Sequence, residues 1–272
     1  MIRTMAPADI PALMRLKAAA GWNQTEQDWA NVMGLEPEGC WVDERDGVLA
    51  ASTTAVCYGR ELAWIGMVLT MPEFRGRGLA RGLMEHCLGW LEGRGARQVK
   101  LDATDMGRPL YEKLGFREER LIERWGASGG NGRPAPPAGL LPAEAIGALD
   151  ADCFGTDRRL LIHRLLETFP GQGNWEQERG FVLGRPGTGA YFLGPCAAAT
   201  PDAARALVTG LMRRTSAAVF YCDLFPDQPA AVAMARELGF ERRRQLVRMA
   251  LFPVSPGGRP ERVFGAAGFE YG

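Results

Sequence analysis

Residues 71–80 read Met-Pro-Glu-Phe-Arg-Gly-Arg-Gly-Leu-Ala and stand between a predicted strand, 62–70, and a predicted helix, 78–93. Pro72 ends strand pairing because it lacks a backbone donor, and the glycines let the backbone curve closely around a ligand. The first turn of the helix offers unpaired N–H groups and the positive end of the helix dipole. With two arginines beside it, this junction predicts a site for a phosphate or a pyrophosphate.

The elements on either side of this junction predict a mixed α/β fold. Apolar residues recur at steps of three and four along the helix 78–93, which indicates that one of its faces packs on a core. Runs rich in β-branched and aromatic residues predict strands before it. A strand over 98–104, a short helix over 109–114 and a strand after Gly115 follow it. We therefore expect a mixed central sheet that is flanked by helices.

Composition restricts the classes of function. The chain of 272 residues is 46% hydrophobic and 24% charged, which is typical of a soluble globular protein with two domains. Lys+Arg and Asp+Glu number 32 each, so no general positive field favours a nucleic-acid or membrane partner. The first 21 residues lack the apolar core of a signal peptide, and we expect a cytoplasmic protein. The spacing of Cys, His, Asp and Glu predicts neither a disulfide framework nor a metal site.

An internal repeat predicts two tandem copies of one fold. Leu114-Gly115-Phe116 recurs as Leu238-Gly239-Phe240. At the same offset, residues 75–80 of the junction fall on residues 199–204, which read Ala-Thr-Pro-Asp-Ala-Ala. Because this segment lacks both the arginines and the glycines, we expect the second copy to be degenerate.

A Gly/Pro-rich stretch separates the two copies. Such a composition is unsuited to the interior of a helix or of a central strand. We therefore predict a first domain over 1–125, a linker over 126–141 and a second domain over 142–272.

Two motifs together resemble the Gcn5-related N-acetyltransferase (GNAT) superfamily. Arg75-x-x-Gly78-x-Ala80 is similar to the pyrophosphate loop of this family, and residues 110–116, Leu-Tyr-Glu-Lys-Leu-Gly-Phe, are similar to its later helix–strand motif. The resemblance covers roughly residues 2–125, and the tandem layout resembles that of two-domain members with a degraded second copy. It implies two tandem GNAT-like domains, each a mixed central sheet flanked by helices, of which the first is catalytic.

The resemblance also implies an acetyl-CoA site where the strand ending at Thr70 splays from its neighbour. Backbone groups of the strand are expected to pair with the pantetheine amides, and those of the junction to hold the pyrophosphate. The implied cofactor-binding residues are Val68, Leu69, Thr70, Arg75, Gly76, Arg77, Gly78, Leu79 and Ala80. Tyr111 is similar to the family tyrosine that protonates the departing CoA thiolate, a role open to a phenol with a pKa of about 10. Thr104 stands where the family often carries Asn, which affects a minor contact with CoA or water.

Three residues are candidates for contact with the acceptor. Trp22 and Asn23 lie in the link between the first two helices, which borders the acceptor pocket in acetyltransferases of this type. The alternative is a helix N-cap in which Trp22 packs as an apolar staple. Asp102, near the end of a strand, could help to deprotonate the incoming ammonium. The alternative for Asp102 is an ion pair with Lys100 or with a nearby arginine.

The predicted function is acetyl-CoA-dependent N-acetyl transfer to the primary amine of a small molecule or peptide, by direct attack in a ternary complex. Two alternatives stay open. One is a non-catalytic module that binds or senses acyl-CoA. The other is a dinucleotide-dependent oxidoreductase, since Gly76-x-Gly78-x-x-x-Gly82 follows a strand and opens a helix, although Pro72–Arg75 lengthen the turn. The sequence identifies neither the acceptor nor the oligomeric state.

Overall fold

The computed structural model describes residues 1–129, 139–252 and 257–272. Its helices are α1 (Ile10–Ala19), α2 (Glu26–Leu35), α3 (Leu79–Gly93), α4 (Arg108–Lys113), α5 (Ala143–Phe154), α6 (Arg159–Thr168), α7 (Pro201–Arg214) and α8 (Pro229–Glu237). Its strands are β1 (Ile2–Thr4), β2 (Cys40–Arg45), β3 (Val48–Tyr58), β4 (Leu62–Thr70), β5 (Val99–Ala103), β6 (Arg117–Ser128), β7 (Gly173–Glu176), β8 (Gly180–Arg185), β9 (Tyr191–Ala198), β10 (Val219–Leu224), β11 (Glu241–Leu251) and β12 (Val263–Gly265). Most of the predicted linker, 130–138, lies outside the described residues.

One continuous sheet joins the two halves of the chain. The strand order is β1-β2-β3-β4-β5-β11-β6-β10-β9-β8-β7, and β12 pairs with β9. Strand β11, from the second half, lies between β5 and β6, and β6, from the first half, lies between β11 and β10. Each half thus completes its sheet with a strand of the other half. The sequence predicted a central sheet for each domain, and the structure joins these sheets into one.

The predicted repeat is visible in the structure, where α4 and β6 correspond to α8 and β11. Gly115 and Gly239 follow the two short helices with φ of 94° and 79°, in the left-handed region that favours glycine. Strand β6 extends into the predicted linker, because Gly126 is opposite Tyr221 in β10 and the pairing continues to Ser128. The assignment of residues 126–128 to a linker was therefore wrong, since pairing with β10 satisfies their backbone groups.

Helices cover both faces of the sheet. Side chains of β4 alternate, so that Leu62 and Trp64 pack in a core with α1, α2, α5 and α6, whereas Ala63 and Ile65 pack in a core with α3 and α4. Helices α7 and α8 form a further core on the face of the second half opposite α5 and α6. Because the first of these cores takes residues from both halves, the halves pack as one body.

The mixed α/β fold is confirmed, and the structure defines the starts of α2 and α3. Helix α3 begins at Leu79, with Gly78 as its N-cap residue. Thr25 is the N-cap residue of α2. The Thr25 hydroxyl accepts from the Asp28 N–H at 3.3 Å, and the Asp28 carboxylate accepts from the Thr25 N–H at 2.7 Å. Within the described ranges, no helix has the length and apolar character needed to cross a membrane.

Candidate active site

A cleft opens where β4 and β5 separate. The two strands pair in parallel at Ala63 with Val99 and at Trp64 with Lys100, and from Ile65 onwards no residue of β4 pairs with β5. On its other side β4 stays paired with β3 along its length. One edge of β4 therefore presents backbone N–H and C=O groups outside the sheet ladder.

A β-bulge interrupts β4 at the same place. The register with β3 shifts between Ser52 and Thr54, so β4 carries an extra residue near Met67. Met67 is buried, has φ of 50°, and accepts a hydrogen bond on its carbonyl from the Ser52 hydroxyl at 2.7 Å. A bulge leaves one residue unpaired, and a positive φ is uncommon outside glycine. The bulge thus takes backbone groups near Met67 out of the ladder with β3.

The junction after β4 forms a helix start without a side-chain cap. Gly76 and Gly78 have φ of 75° and 80°, and Gly78 is the N-cap residue of α3. A Cβ at either glycine would meet no atom within 4 Å, so the backbone conformation rather than lack of space requires glycine. Because no side chain caps α3, its first N–H groups are available to an anion.

These features line one cavity of about 620 Å³. The predicted cofactor-binding residues that line it are Val68, Leu69, Thr70, Arg75, Gly76, Gly78, Leu79 and Ala80. Arg77 does not, because its guanidinium donates to the Glu73 carbonyl at 2.9 Å and lies 5.1 Å from the centroid of the Phe74 ring. Arg81, which the sequence analysis did not single out, lines the cavity from the first turn of α3.

Tyr111 lines the same cavity from α4. Its side chain is 7% exposed, and its ring packs edge to face on Phe116 with centroids 6.2 Å apart. A Cβ at Gly107 would lie 2.8 Å from the Tyr111 ring, so glycine makes room for it. Thr104 also lines the cavity, and its hydroxyl accepts from the Gly107 N–H at 3.2 Å. Burial raises the pKa of Tyr111 above its ordinary value, so the phenol is protonated at neutral pH and can donate a proton.

The two candidate acceptor contacts in the link between α1 and α2 differ in their position relative to the cavity. Trp22 lines the cavity, whereas Asn23 does not. The side-chain oxygen of Asn23 accepts from the N–H groups of Gly189 and Ala190 at 2.9 and 3.0 Å, and its amide nitrogen donates to the Ala190 carbonyl at 2.9 Å. Asn23 thus fastens the link to a loop of the second half, and its amide is engaged by protein rather than presented to an acceptor.

Asp102 lies at the cavity wall but is engaged within the sheet. Both of its carboxylate oxygens accept from Arg248 of β11, at 2.9 and 3.0 Å. Burial raises the pKa of Asp102, and the Arg248 charge opposes this shift. Lys100, the other partner considered, pairs instead with Glu119 at 2.8 Å. The ion-pair alternative is thus the arrangement found, with an arginine from the second half.

Both halves of the chain match acetyltransferase families. Residues 12–116 match the Acetyltransferase (GNAT) family, and residues 146–265 match a family described as an Acetyltransferase (GNAT) domain. The chain belongs to the GNAT superfamily. It is a tandem member of this superfamily of N-acetyltransferases, which use acetyl-CoA. The antiparallel neighbours β3–β4 and β5–β11 also exclude the oxidoreductase alternative, which needs a doubly wound parallel sheet.

Relatives of the chain include both sequences and solved structures. The uncharacterized N-acetyltransferase YitH of Bacillus subtilis is 24% identical over 216 residues, which are 74% of each chain. A candidate acetyltransferase from Pyrococcus horikoshii matches with a TM-score of 0.84 at 17% identity, over 100% of this chain and 95% of that one. A tandem GNAT protein from the clavulanic acid biosynthesis pathway matches with a TM-score of 0.65 at 15% identity, over 92% and 98%. At these identities the solved structures show the fold that they share with this chain.

The second GNAT domain supplies most of the far wall of the cavity, with four residues that the sequence did not predict: Arg244, Leu246, Phe269 and Glu270. Two further residues, also not predicted, line the cavity from the first half: Gln24 in the first link and Arg124 in β6. Local sequence could have indicated Gln24 as a cavity residue, since it directly follows Trp22 and Asn23. Local sequence could not indicate the other residues, because strand exchange and the packing of residues 269–270 bring them to the cavity.

The second GNAT domain differs from the first at each corresponding feature. Strand β12 pairs with the edge of β9 that corresponds to the open edge of β4, with Val263 opposite Ala197. The Thr200 hydroxyl caps α7 by accepting from the Ala203 N–H at 3.2 Å. Asp202 adds a negative charge to the first turn of α7. The filled edge of β9 leaves no open ladder for an extended ligand, and the occupied cap and the carboxylate oppose an anion at α7.

Proposed function

We propose that the first GNAT domain binds acetyl-CoA and transfers its acetyl group directly to a primary amine. The observation that carries this proposal is the convergence of three features on one cavity: the open, bulged edge of β4, the uncapped start of α3, and Tyr111. Each suits one part of the reaction, namely binding of the pantetheine arm, binding of the pyrophosphate and protonation of the leaving thiolate. Membership of the GNAT superfamily supports the same assignment.

Binding of acetyl-CoA uses the backbone in two places. Val68–Thr70 lie on the open edge of β4, where the pantetheine amides can extend the ladder as another strand would. The pyrophosphate fits the first turn of α3, where the N–H groups and the helix dipole favour negative charge. Arg75 adds a fixed positive charge, since its guanidinium donates only to the Thr70 carbonyl, at 3.4 Å, within the described residues.

The transfer itself needs one nucleophile, one polarised carbonyl and one acid. The neutral amine nitrogen attacks the thioester carbonyl carbon, so that a C–N bond forms and the C–S bond breaks. A backbone N–H at the bulge near Met67 stabilises the negative charge that develops on the carbonyl oxygen. The CoA thiolate takes the proton of the Tyr111 hydroxyl. The proton lost by the attacking nitrogen passes to water, which also returns a proton to Tyr111.

Direct transfer is supported by the state of the cysteines. None of the cysteines, all of which lie in the described ranges, lines the 620 Å³ cavity. Burial raises the pKa of Cys57 to about 12 and raises that of Cys87 well above its ordinary value. Neither thiol is therefore a thiolate at neutral pH, and a covalent acyl-enzyme has no activated nucleophile at this site.

The experiment that tests this function measures binding and turnover separately. Binding of acetyl-CoA is titrated, and release of the CoA thiol is followed with a panel of primary amines, with the acetylated product checked by mass. We expect amine-dependent thiol release, and loss of acetyl-CoA binding in Arg75→Glu. The control Arg213→Glu, at an exposed position in α7, should bind like the wild-type chain. Binding without acetylation of any amine would support the acyl-CoA sensing alternative, and absence of binding would refute both.

A further inference from the structure

The far wall of the cavity carries several charged side chains, most of which already have partners. Arg124 donates from Nε and Nη2 to the two oxygens of Asp223, each at 2.8 Å. The two oxygens of Glu270 accept from Arg185 at 2.5 Å and from Gln24 at 2.9 Å. These buried groups satisfy one another, so they do not require a ligand.

Arg244 is different, because it lines the cavity and its guanidinium forms no hydrogen bond or ion pair with any residue in the described ranges. Its position is set by a β-bulge, since the register of β11 with β6 shifts between Arg242 and Arg244. The neighbouring Arg243 is exposed and lies 3.4 Å from Glu241. The bulge therefore leaves one arginine paired at the surface and places the next one, half-buried, at the cavity.

The surroundings of Arg244 do not compensate its charge. Burial, and then the charge of Arg124, lower the pKa of Arg244, while Asp223 and Asp105 attract it at longer range without contact. The guanidinium nevertheless stays protonated, because its ordinary pKa lies above about 12. A half-buried cation without a contact partner is costly, and a bound anion would accept from its fork of N–H donors.

Arg244 also lies far from the pyrophosphate site across the sheet. It is on β11, opposite Arg124 of β6, and β11 is two strands away from β4, which leads into α3. Neighbouring strands are about 4.8 Å apart, so this separation is at least about 10 Å before the splay of β4 and β5 is added. With acetyl-CoA placed along β4 and the start of α3 as proposed above, Arg244 lies on the side of the cavity that remains for the acceptor.

We propose that the acceptor amine also carries an anionic group, a carboxylate or a phosphate, and that Arg244 binds this group. The proposal rests on the function proposed above and names the class of its acceptor. Trp22, Leu246 and Phe269 line the same cavity, and their apolar side chains suit a spacer that joins the amine to the anion. Pairing of the planar Arg244 guanidinium with the anionic group at one end of the acceptor fixes the orientation of the amine at its other end.

The test uses amines in matched pairs that differ in the anionic group. One pair is 4-aminobutyrate and 4-aminobutanamide, and another is O-phosphoethanolamine and ethanolamine, which distinguish a carboxylate from a phosphate. Thiol release and calorimetric binding to the CoA-saturated chain are measured for wild type, Arg244→Gln and the surface control Arg243→Gln. We expect the anionic member of at least one pair to be preferred about 10-fold to 100-fold in kcat/KM. Arg244→Gln should remove this preference by raising the KM of the anionic amine, and Arg243→Gln should keep the preference.

The remaining outcomes distinguish failure of this inference from failure of the proposed function. Equal use of neutral and anionic amines, a preference that survives Arg244→Gln, or binding of acetyl-CoA without binding of any anionic amine would overturn the inference and leave the acetyl-CoA site standing. A loss of acetyl-CoA affinity in Arg244→Gln as large as that in Arg75→Glu would also overturn it, since Arg244 would then belong to the CoA site. Absence of acetyl-CoA binding to the wild-type chain would overturn the proposed function itself.

Discussion

Tyr111 is the cavity side chain that we expect to transfer a proton to the departing CoA thiolate. Tyr111→Phe removes only the hydroxyl, so we expect kcat to fall at least about tenfold while the Kd of acetyl-CoA stays nearly unchanged. Because burial raises the pKa of Tyr111 above about 10, its ionisation should not lower kcat at any pH up to about 9. Steady-state kinetics across this pH range, together with a titration of acetyl-CoA, measure both effects.

Tyr221→Phe is the matched control for Tyr111→Phe. Tyr221 lies in β10 and does not line the cavity, so its hydroxyl should be irrelevant to turnover. If Tyr111→Phe and Tyr221→Phe were equally active, Tyr111 would have no part in the transfer.

The sequence could predict those cavity residues that belong to short local motifs. Gly76, Gly78 and Tyr111 belong to short motifs in which the backbone conformation and the neighbouring elements already explain the residue type. Asp102 lies at the cavity wall and Asn23 does not line the cavity, and the partners of both could not be read from local sequence. Asp102 pairs with a side chain 146 residues later, and Asn23 bonds to a loop about as distant.

At the scale of the element, the start of α3 can be tested with two glycines of the same helix. Gly78 has φ of 80°, so Gly78→Ala should cost about 1–2 kcal/mol of stability and weaken acetyl-CoA binding. Gly89 is exposed in the interior of α3, and a Cβ there meets nothing within 4 Å. Gly89→Ala should therefore stabilise the chain by about 0.5–1 kcal/mol and leave acetyl-CoA affinity unchanged. Urea unfolding and calorimetry measure the two effects, and equal responses of both variants would contradict this explanation of the junction.

Strand pairing was the part of the fold that sequence could not predict. The strands themselves follow from β-branched and aromatic runs, which are local signals. The exchange of β6 and β11 depends on which edges meet, and both strands follow the same Leu-Gly-Phe motif, so the pattern fits pairing within a domain or across domains. The same exchange brings Arg244 to the cavity, which explains why the sequence did not predict the far wall of the cavity.

At the scale of the molecule, shared strands predict that the two GNAT domains unfold together. The pair Asp102–Arg248 joins β5 to β11 with a carboxylate that is fully buried. Arg248→Met leaves this carboxylate without a partner and should cost about 3–5 kcal/mol in a single unfolding transition. The double variant Asp102→Leu with Arg248→Met should recover part of this loss, because no buried charge remains unpaired. Two separate transitions, of which acetyl-CoA shifts only one, would show that the halves are independent.

One of the two GNAT domains should bind acetyl-CoA, and the other should have lost this site. A calorimetric titration of the purified chain with acetyl-CoA distinguishes the two domains. We expect one equivalent per chain, with binding abolished by Arg75→Glu. Two equivalents would contradict this expectation, because the second domain would then bind acetyl-CoA despite β12, the Thr200 cap and Asp202. One equivalent that survives Arg75→Glu would contradict it as well, because the site would lie elsewhere.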